Sequence, residues 1–389
     1  MKIYEIGTGY TPIPAQMGAA TEIVVEELTR SFLKSGNNVE IIDIKAKNRA
    51  KTELPITEVS VPSMFTKSDV SLGMVHKLKR VIYSVSLARK LKKLLKKTQD
   101  RVVLHFHNQY NCYFFLKMVS KKLRKKAIVA YTVHSYIWGT DWENIKDTVK
   151  KKYFQEVFCV KNADAVLVLN DITIDHFVNH IGVRRENIYK IANGVNIERY
   201  SKLPGDEVFS FKESLGLSSK KVIFQVGSVC ERKNQLGSLK MLSEYLQANR
   251  DTVYMYAGGI IDAEYQASIL KLANDAGISE QVIYAGELAP GEMLNKYYNI
   301  ADCSVFTSTL ESFGLVIIEA ISSGTPVIIG KNLMFDLNDG YLMYSDEKEF
   351  INCVTSALQS DKEFYCKSEL EKYSWDTVAK SHLVIFEKL

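Results

Sequence analysis

The amino-acid sequence predicts two doubly wound α/β domains, each built on a parallel sheet, and three observations lead to this fold class. Apolar runs of strand length alternate with helical patterns along the chain. The alternation restarts after a polar linker at residues 196–206. A chain of 389 residues is also longer than one hydrophobic core usually serves. We therefore expect a first domain at residues 1–195 and a second at residues 196–374.

The predicted strands form two series, one on each side of the linker. The first series lies near residues 2–7, 38–44, 101–106, 127–133, 164–169 and 187–191, and the second near 221–227, 252–257, 281–285, 302–306 and 326–329. Residues 46–70 show no clear period and are expected to form a long loop. Ligands of doubly wound sheets bind outside the carboxyl ends of the strands, so a crevice between the domains is the expected site.

The last segment of the chain, residues 375–389, is amphipathic. We expect it to form a helix that returns to the first domain. Its predicted apolar face consists of Val378, Leu383, Val384 and Phe386.

Composition indicates a globular protein without a membrane span. Charged residues make up 24% of the chain, and no run of 18 apolar residues occurs. The opening residues, MKIYEIGTGY, lack the basic-then-apolar plan of a signal peptide, so we expect a cytoplasmic protein. The 6 cysteines are scattered without a CxxC pair, which argues against a zinc site or a disulfide framework.

Charge is distributed unevenly along the chain. Residues 1–200 hold 33 Lys and Arg against 19 Asp and Glu, which leaves 17 against 26 in the remainder, so the two parts carry +14 and −9. Nine of the basic residues lie in residues 77–99, a segment without any acidic residue before Thr98. A helix that docks on the domain's own sheet would explain the apolar side of this segment, but it would not explain the one-sided charge. An anionic membrane surface is the expected partner, at about 1 kcal/mol per basic residue. Nucleic acid is less favoured because no recognised binding motif accompanies the charge.

Two carboxylates interrupt the apolar stretch STLESFGLVIIEAISSGTPVI at residues 308–328. Glu311 falls in a predicted turn, and a helix that begins near Phe313 would leave the N–H groups of residues 312–315 free to bind an anion. Glu319 lies about two turns further along, where an ionised carboxylate can accept hydrogen bonds from both hydroxyls of a ribose. The alternative is a capping acid followed by an ordinary Glu on the helix surface, and spacing alone does not choose between them.

A basic pair opens the helix that is predicted after the strand VIFQVG. Lys233 stands at the entrance of this helix, and Arg232 precedes it. Positive charge at a helix N-terminus opposes the helix dipole unless an anion is bound. A diphosphate ligand therefore explains the pair better than a solvated surface does.

Histidines close two of the predicted strands. His134 ends the strand in AIVAYTVHS, and His107 ends the strand in VVLHFHNQY, with His105 in the same alternating phase. The carboxyl ends of parallel strands face the ligand crevice, so His134 and His107 are candidate site residues. A satisfied core histidine is the alternative for each.

Taken in chain order, these motifs resemble those of family 4 glycosyltransferases. The resemblance is carried by NGVNIERY at 193–200, VGSVCERKN at 226–234, VIYAGEL at 282–288, YYNIADCSVF at 297–306, and two glutamates with the spacing of the family's E-x7-E signature. These motifs cover nearly the whole chain. The resemblance implies a retaining enzyme of the GT-B fold, in which two Rossmann-like domains face each other and a C-terminal helix crosses back to the first.

The resemblance also assigns roles to residues. It implies that Glu311 and His134 orient the donor sugar and that Lys233 is the third catalytic residue. It implies that the donor is held by Lys233 and Arg232 at the diphosphate, by the amides of Ser312, Phe313, Gly314 and Leu315, by Glu319 at the ribose and by the Leu288 backbone at the base. The family often has Arg directly after the strand's glycine, where this chain has Ser228. No metal or cofactor is implied.

A glycine-rich stretch near the start, GTGYTPIPAQMGAATE, does not fit a dinucleotide fingerprint. Pro12 occupies the place of the third glycine in GxGxxG. Gly18 with Ala19 instead matches, in part, the small-residue pair with which the family begins a helix over the donor phosphate or the acceptor. Gly18 allows close approach of backbone to a ligand.

The expected function is transfer of a hexosyl or N-acetylhexosaminyl group from a UDP-sugar to a hydroxyl of a lipid-linked saccharide or glycolipid. The expected setting is cell-surface polysaccharide synthesis, with the acceptor on the first domain and the nucleotide on the second. The basic first domain and the lack of a signal peptide place it on the inner face of the cell membrane. Two alternatives stay open. One is a non-catalytic partner subunit of the same fold, against which the presence of Glu311, Glu319 and Lys233 argues. The other is a nucleotide-sugar epimerase or phosphorylase of the same architecture, which would need no lipid.

Overall fold

The chain folds into two units, each organised around one parallel sheet. The structure, a computed structural model, describes residues 1–15, 19–62, 74–331, 340–360 and 367–389. Unit 1 comprises Met1–Gly194 and Trp375–Leu389, and unit 2 comprises Val195–Ser374. The prediction of two doubly wound parallel sheets is confirmed.

The sheet of unit 1 has 7 strands in the order β3-β2-β1-β4-β5-β6-β7, all paired in parallel. Its strands are β1 (Lys2–Ile6), β2 (Asn38–Ile44), β3 (Ile56–Val59), β4 (Val102–Phe106), β5 (Ala127–Thr132), β6 (Ala165–Val168) and β7 (Ile188–Lys190). Every residue of β4, β5 and β6 is buried, which explains why these strands read as nearly continuous apolar runs. The strand order reverses between β1 and β4, the kind of position at which such sheets bind ligands.

Helices cover this sheet. They are α1 (Ala20–Lys34), α2 (Met74–Lys97), α3 (Gln109–Met118), α4 (Lys121–Arg124), α5 (Trp142–Lys152), α6 (Phe154–Asn162) and α7 (Asp171–Asp175), the last continuing as a π-helical turn at His176–Ile181. The long helix α2 buries Leu87, Leu91 and Leu95 in the core and leaves most of its lysines exposed. This arrangement is the docked amphipathic helix that the apolar side of the basic segment predicts.

Unit 2 repeats the plan with 6 strands in the order β10-β9-β8-β11-β12-β13, again all parallel. The strands are β8 (Lys221–Val226), β9 (Thr252–Ala257), β10 (Val282–Tyr284), β11 (Cys303–Phe306), β12 (Val327–Gly330) and β13 (Tyr341–Tyr344). The helices are α8 (Gly205–Ser214), α9 (Gln235–Ala248), α10 (Ala263–Asp275), α11 (Glu292–Ile300), α12 (Leu315–Ser322), α13 (Glu347–Gln359) and α14 (Lys367–Leu370). Here the order reverses between β8 and β11.

The chain returns to unit 1 in its last helix, α15 (Trp375–Lys388), which packs against α1. Val378, Ala379, His382, Ile385 and Phe386 form its buried face. An ion pair of 2.6 Å between the Lys34 ammonium and the Asp376 carboxylate joins the two helices at the surface. Within the described part of the chain, no helix is both long and apolar enough to span a bilayer.

Three sequence expectations are wrong in detail. Part of the segment predicted as a loop at 46–70 forms β3, because Ile56–Val59 pairs with the edge of β2. The short edge strand β13 was not predicted. Val384, assigned to the apolar face of α15, is 51% exposed because the buried stripe of the helix passes through His382 instead.

Candidate functional site

The candidate nucleotide site of unit 2 lies where β8 and β11 end. These strands are neighbours in the sheet, and the strand order reverses between them. The loop after β8 carries Arg232 and Lys233, and the loop after β11 carries Glu311. Parallel strands place both loops at the same edge of the sheet, so residues almost 80 positions apart in sequence meet.

Three charges form a partly buried cluster at this edge, here called the charge cluster: Arg232, Lys233 and Glu311. The Lys233 ammonium and one Arg232 nitrogen each lie 2.6 Å from the same Glu311 oxygen, Oε1. The Glu311 and Lys233 side chains are only 10% and 13% exposed. Two cations share one carboxylate, so the cluster keeps a net positive charge and attracts an anion.

The backbone around Lys233 is held by polar side chains of the sheet. Residues Glu231–Lys233 form a 3₁₀ turn, and Asn234 follows with φ of 58°. The Gln225 amide of β8 donates to the Lys233 carbonyl at 2.8 Å, and the Asn234 amide donates to the Thr307 carbonyl at 3.2 Å. A side chain at Gly227 would approach the Lys233 stem to 3.1 Å, so a glycine leaves room for that stem. The loop therefore presents the ammonium from a fixed backbone.

The helix after β11 begins at Leu315, two residues later than predicted. Gly314 precedes it with φ of 78°, a left-handed conformation that favours glycine. Ser312 and Phe313 thus lie in the turn before the helix, and the Phe313 ring is 6.0 Å from the Tyr373 ring. Of the amides predicted to bind an anion, only that of Leu315 belongs to the first helical turn.

Glu319 occupies a half-buried position apart from the charge cluster. The Tyr298 hydroxyl donates to its Oε2 at 3.3 Å. Burial raises the pKa of Glu319 to about 7, and hydrogen bonds from Tyr298 and Tyr200 only partly oppose this effect. This pKa lies close to neutral pH, so both the protonated and the ionised form of the carboxyl are accessible there.

The remaining predicted donor residues of unit 2 lie in loops at the same sheet edge. Ser228 follows β8, and its carbonyl accepts from the Gln235 side chain at 3.1 Å. Leu288 is half-buried in the loop after β10. Strand β9 separates β10 from β8 in the sheet.

The site residues of unit 1 centre on His134, which is half-buried after β5. Its Nε2 lies 3.0 Å from His107 Nδ1. The other nitrogen of His107, Nε2, is 2.8 Å from Glu5 Oε2, and His105 Nδ1 is 2.9 Å from Glu5 Oε1. The structure therefore joins three strand ends, β1, β4 and β5, in one polar cluster, here called the Glu5 cluster: Glu5, His105, His107 and His134.

Proton equilibria in the Glu5 cluster are strongly shifted. Burial alone would raise the pKa of Glu5, but the charges and hydrogen bonds of His105 and His107 lower it to about 2. Burial lowers the pKa of His107 to about 4 and that of His134 well below its usual value. Glu5 is thus ionised and the two histidines are neutral at physiological pH. Sequence reasoning missed Glu5, whose only signal is a carboxylate inside the apolar strand KIYEI.

Gly18, the remaining predicted donor residue, lies outside the described residues.

Solved structures share the fold of this chain. Anabaena HepE in complex with UDP and glucose is 15% identical and aligns with a TM-score of 0.71 over 100% of both chains. Sucrose-phosphate synthase from Thermosynechococcus elongatus is 17% identical, with a TM-score of 0.77 over 100% of this chain and 98% of that one. At these identities the likeness shows the fold, which is GT-B.

Two family models match, one in each half of the chain. Residues 21–199 match the model described as Glycosyltransferase Family 4, and residues 208–336 match the model described as Glycosyl transferases group 1. The chain is therefore a glycosyltransferase. More particularly, it is a GT-B glycosyltransferase of the family 4 type, as its motifs predict.

Curated relatives are distant. An uncharacterized glycosyltransferase of Methanocaldococcus jannaschii is 23% identical over 301 residues, which cover 73% of this chain and 75% of that protein. The alpha-monoglucosyldiacylglycerol synthase of Streptococcus pneumoniae is 24% identical over 301 residues, which cover 75% and 58%. The mannosylfructose-phosphate synthase of Agrobacterium fabrum is 25% identical over 218 residues, which cover 51% and 47%. The chain thus spans about half the length of the latter two relatives.

Proposed function

We propose that this protein is a retaining glycosyltransferase that moves a hexosyl or N-acetylhexosaminyl group from a UDP-sugar to a hydroxyl of a lipid-linked saccharide or glycolipid, in cell-surface polysaccharide synthesis. The observation that carries the proposal is the charge cluster at the strand-order reversal of unit 2. Such a position binds nucleotides in doubly wound sheets, and the net positive charge suits a diphosphate.

Lys233 and Arg232 are the proposed diphosphate ligands. Both side chains already donate to one carboxylate oxygen of Glu311, so a bound diphosphate would compete with Glu311 for the hydrogen bonds that they donate. Glu311 would then turn a free oxygen to a sugar hydroxyl. The Leu315 amide at the start of α12 adds a backbone donor, and Ser228, Ser312, Phe313 and Gly314 line the same loops.

Glu319 is the proposed ribose ligand. Because its pKa is raised to about 7, its carboxyl can accept from one ribose hydroxyl and, depending on its protonation, donate to or accept from the other. Leu288 is proposed to contact the base through its backbone, and Gly18 the donor phosphate or the acceptor. His134 of unit 1 is proposed to orient the sugar.

The proposed chemistry is positional. The leaving diphosphate is expected to take the acceptor proton on the face from which it departs, so the configuration at the anomeric carbon is retained. The protein then contributes orientation and stabilisation of the charge on the departing phosphate. We propose that no divalent cation is needed, and excess EDTA should leave transfer unchanged.

UDP is the donor nucleotide that we propose, and a nucleotide screen tests it. One relative is named as GDP-mannose-dependent, at 26% identity over 178 residues, which makes GDP the competing choice. Thermal unfolding with UDP, GDP and ADP, each at the same concentration, should show the largest rise in Tm for UDP. A larger rise with GDP would reject the UDP assignment and leave the glycosyltransferase class intact.

Attachment to an anionic membrane is proposed from the distribution of charge on unit 1. Exposed lysines of α2, of the adjacent α4 and of the residue that follows α4 form what we call the basic face: Lys92, Lys93, Lys96, Lys97, Lys121, Lys122 and Lys125. Leu78 and Val81 of α2 are exposed as well, at 53% and 36%. At about 1 kcal/mol per residue near the leaflet, the basic face suffices for reversible binding. The named activity of the Streptococcus relative, a glucosyldiacylglycerol synthase, supports a lipid acceptor.

Transfer assays separate the proposal from its alternatives. Purified protein with UDP-sugar should release UDP faster when a membrane lipid extract is added. A non-catalytic subunit would release none in either case, and an epimerase or phosphorylase would not respond to lipid. Anomeric configuration of the product, read by ¹H NMR coupling constants, tests retention.

A further inference from the structure

The four side chains of the Glu5 cluster are joined by a continuous series of short polar contacts. Glu5 and His105 are fully buried and His107 is 4% exposed, while His134 at the end of the series reaches the carboxyl edge of the sheet. Three contacts of 2.8–3.0 Å link the four side chains in sequence. Each contact needs one proton between two heavy atoms, so the positions of these protons are coupled.

The carboxylate decides the direction of every hydrogen bond. Glu5 is ionised and can only accept, so His105 Nδ1 and His107 Nε2 must each carry a proton. Neutral His107 then has a lone pair at Nδ1, which accepts from His134 Nε2. Neutral His134 is left with a lone pair at Nδ1.

The ring geometry agrees with this assignment. The His107 and His134 ring planes are only 22° apart, with centroids separated by 5.3 Å. Imidazole lone pairs lie in the ring plane, so nearly coplanar rings that meet nitrogen to nitrogen are in position for a hydrogen bond.

The other groups around the cluster are compatible with the same proton arrangement. His105 Nε2 lies 2.7 Å from the Thr132 hydroxyl, which can donate to its lone pair. From α15, His382 contacts the His105 ring at 5.3 Å between centroids and directs its own Nδ1 to the Val378 carbonyl at 2.8 Å. Each hydrogen bond of the cluster thereby has one donor and one acceptor.

We propose that Glu5 is a positioning residue that sets, through His107, which ring nitrogen of His134 carries the proton. His134 then presents Nδ1 as a hydrogen-bond acceptor and recognises a hydroxyl of its ligand. This last step rests on the proposed function, in which that ligand is the donor sugar. The arrangement follows the logic by which a buried carboxylate orients an imidazole through its second nitrogen.

Histidine tautomers can be read directly, independently of activity. In protein labelled with ¹⁵N-histidine, long-range ¹⁵N–¹H correlation spectra distinguish a protonated ring nitrogen from one with a lone pair. We expect His134 and His107 to be protonated at Nε2 only, unchanged between pH 5.5 and 8, and His105 to carry a proton at Nδ1. A His107→Gln variant assigns the signals. A wild-type His134 that is protonated at Nδ1, or cationic at pH 7, would overturn the proposal.

The variant Glu5→Gln tests the coupling. A Gln amide must donate to one histidine and accept from the other, so at least one of His105 and His107 must exchange its tautomer. If His107 exchanges, His134 becomes a donor at Nδ1. A folded variant in which no tautomer changes would refute control by Glu5, and failure to fold leaves the wild-type spectra as the deciding measurement.

Ligand titration separates this inference from the proposed function. Added UDP-sugar should shift the His134 Nδ1 resonance without changing the tautomer. Glu5→Gln should lower kcat/KM for the UDP-sugar by roughly 5- to 10-fold and leave the Kd for UDP alone unchanged. Expected tautomers without a ligand-induced shift would keep the positioning role of Glu5 and reject the sugar contact of His134.

Discussion

Removing the Lys233 ammonium gives the sharpest test of the nucleotide site. In Lys233→Ala the charge cluster falls from one net positive charge to none, because Arg232 and Glu311 still pair at 2.6 Å. A charge-assisted hydrogen bond to a phosphate contributes about 1.5–3 kcal/mol, so the Kd for UDP should rise about 10- to 150-fold. The stability cost should be small, about 1 kcal/mol, since Glu311 keeps one cationic partner.

Isothermal titration with three ligands localises the effect. UDP should lose most of its affinity, UMP less, and uridine almost none, because only the phosphates are placed near Lys233. Lys240→Ala, which removes an exposed lysine of α9, is the matched control and should bind UDP like the wild type. A Kd for UDP within twofold of wild type in Lys233→Ala would show that Lys233 does not hold the diphosphate.

Three further predictions follow from named contacts. Glu319 has a pKa of about 7 in the folded protein against an ordinary value of 4.5, so the folded state holds its proton more tightly than the unfolded state does. Its ionisation therefore lowers the free energy of unfolding as the pH rises from about 4.5 to about 7. The Glu319→Gln variant should therefore have a free energy of unfolding at most about 3 kcal/mol above that of the wild type at pH 8, and an equal one at pH 4, as measured by urea unfolding. An equal gain at both pH values would contradict the raised pKa of Glu319. Gly194→Ala should lose about 1–3 kcal/mol, because a Cβ there would lie 2.4 Å from the Trp375 ring, while Gly205→Ala, with open space around it, should lose nothing. Replacing the four α2 lysines of the basic face by Glu should abolish salt-sensitive sedimentation with anionic liposomes. The control replaces exposed lysines of unit 2, as Lys240→Glu, Lys271→Glu and Lys348→Glu, and should leave this binding in place. Liposome binding that the α2 replacements do not change, or that does not depend on salt, would count against the basic face.

Sequence periodicity predicted most of the strands and helices because buried segments have a characteristic pattern of apolar residues. Fully buried strands such as β4, β5 and β6 must be apolar at nearly every position, and each was predicted to within about two residues. The strands that were missed, β3 and β13, lie at sheet edges. Most of their residues are only half-buried, so their apolar signal is weak.

The residues of the donor site were predicted, and the direct contacts between them were not. Motif spacing identified Lys233, Glu311 and Glu319, yet it assigned Lys233 to a phosphate and Glu311 to a sugar without the ion pair that joins them. Glu5 carried no motif at all. Its importance appears only when β1 lies beside β4, which places its carboxylate against His105 and His107.

The alternation of strands and helices, the division into two sheets and the chemical types of residue at the strand ends can all be predicted from the sequence, because they depend on neighbours within a few positions. Which strand ends are adjacent becomes known only from the folded chain. The lateral order of a parallel sheet is set by contacts between distant segments, 80 residues apart where β8 pairs with β11 and 100 residues apart where β1 pairs with β4. The charge cluster and the proton arrangement of the Glu5 cluster both arise from that order.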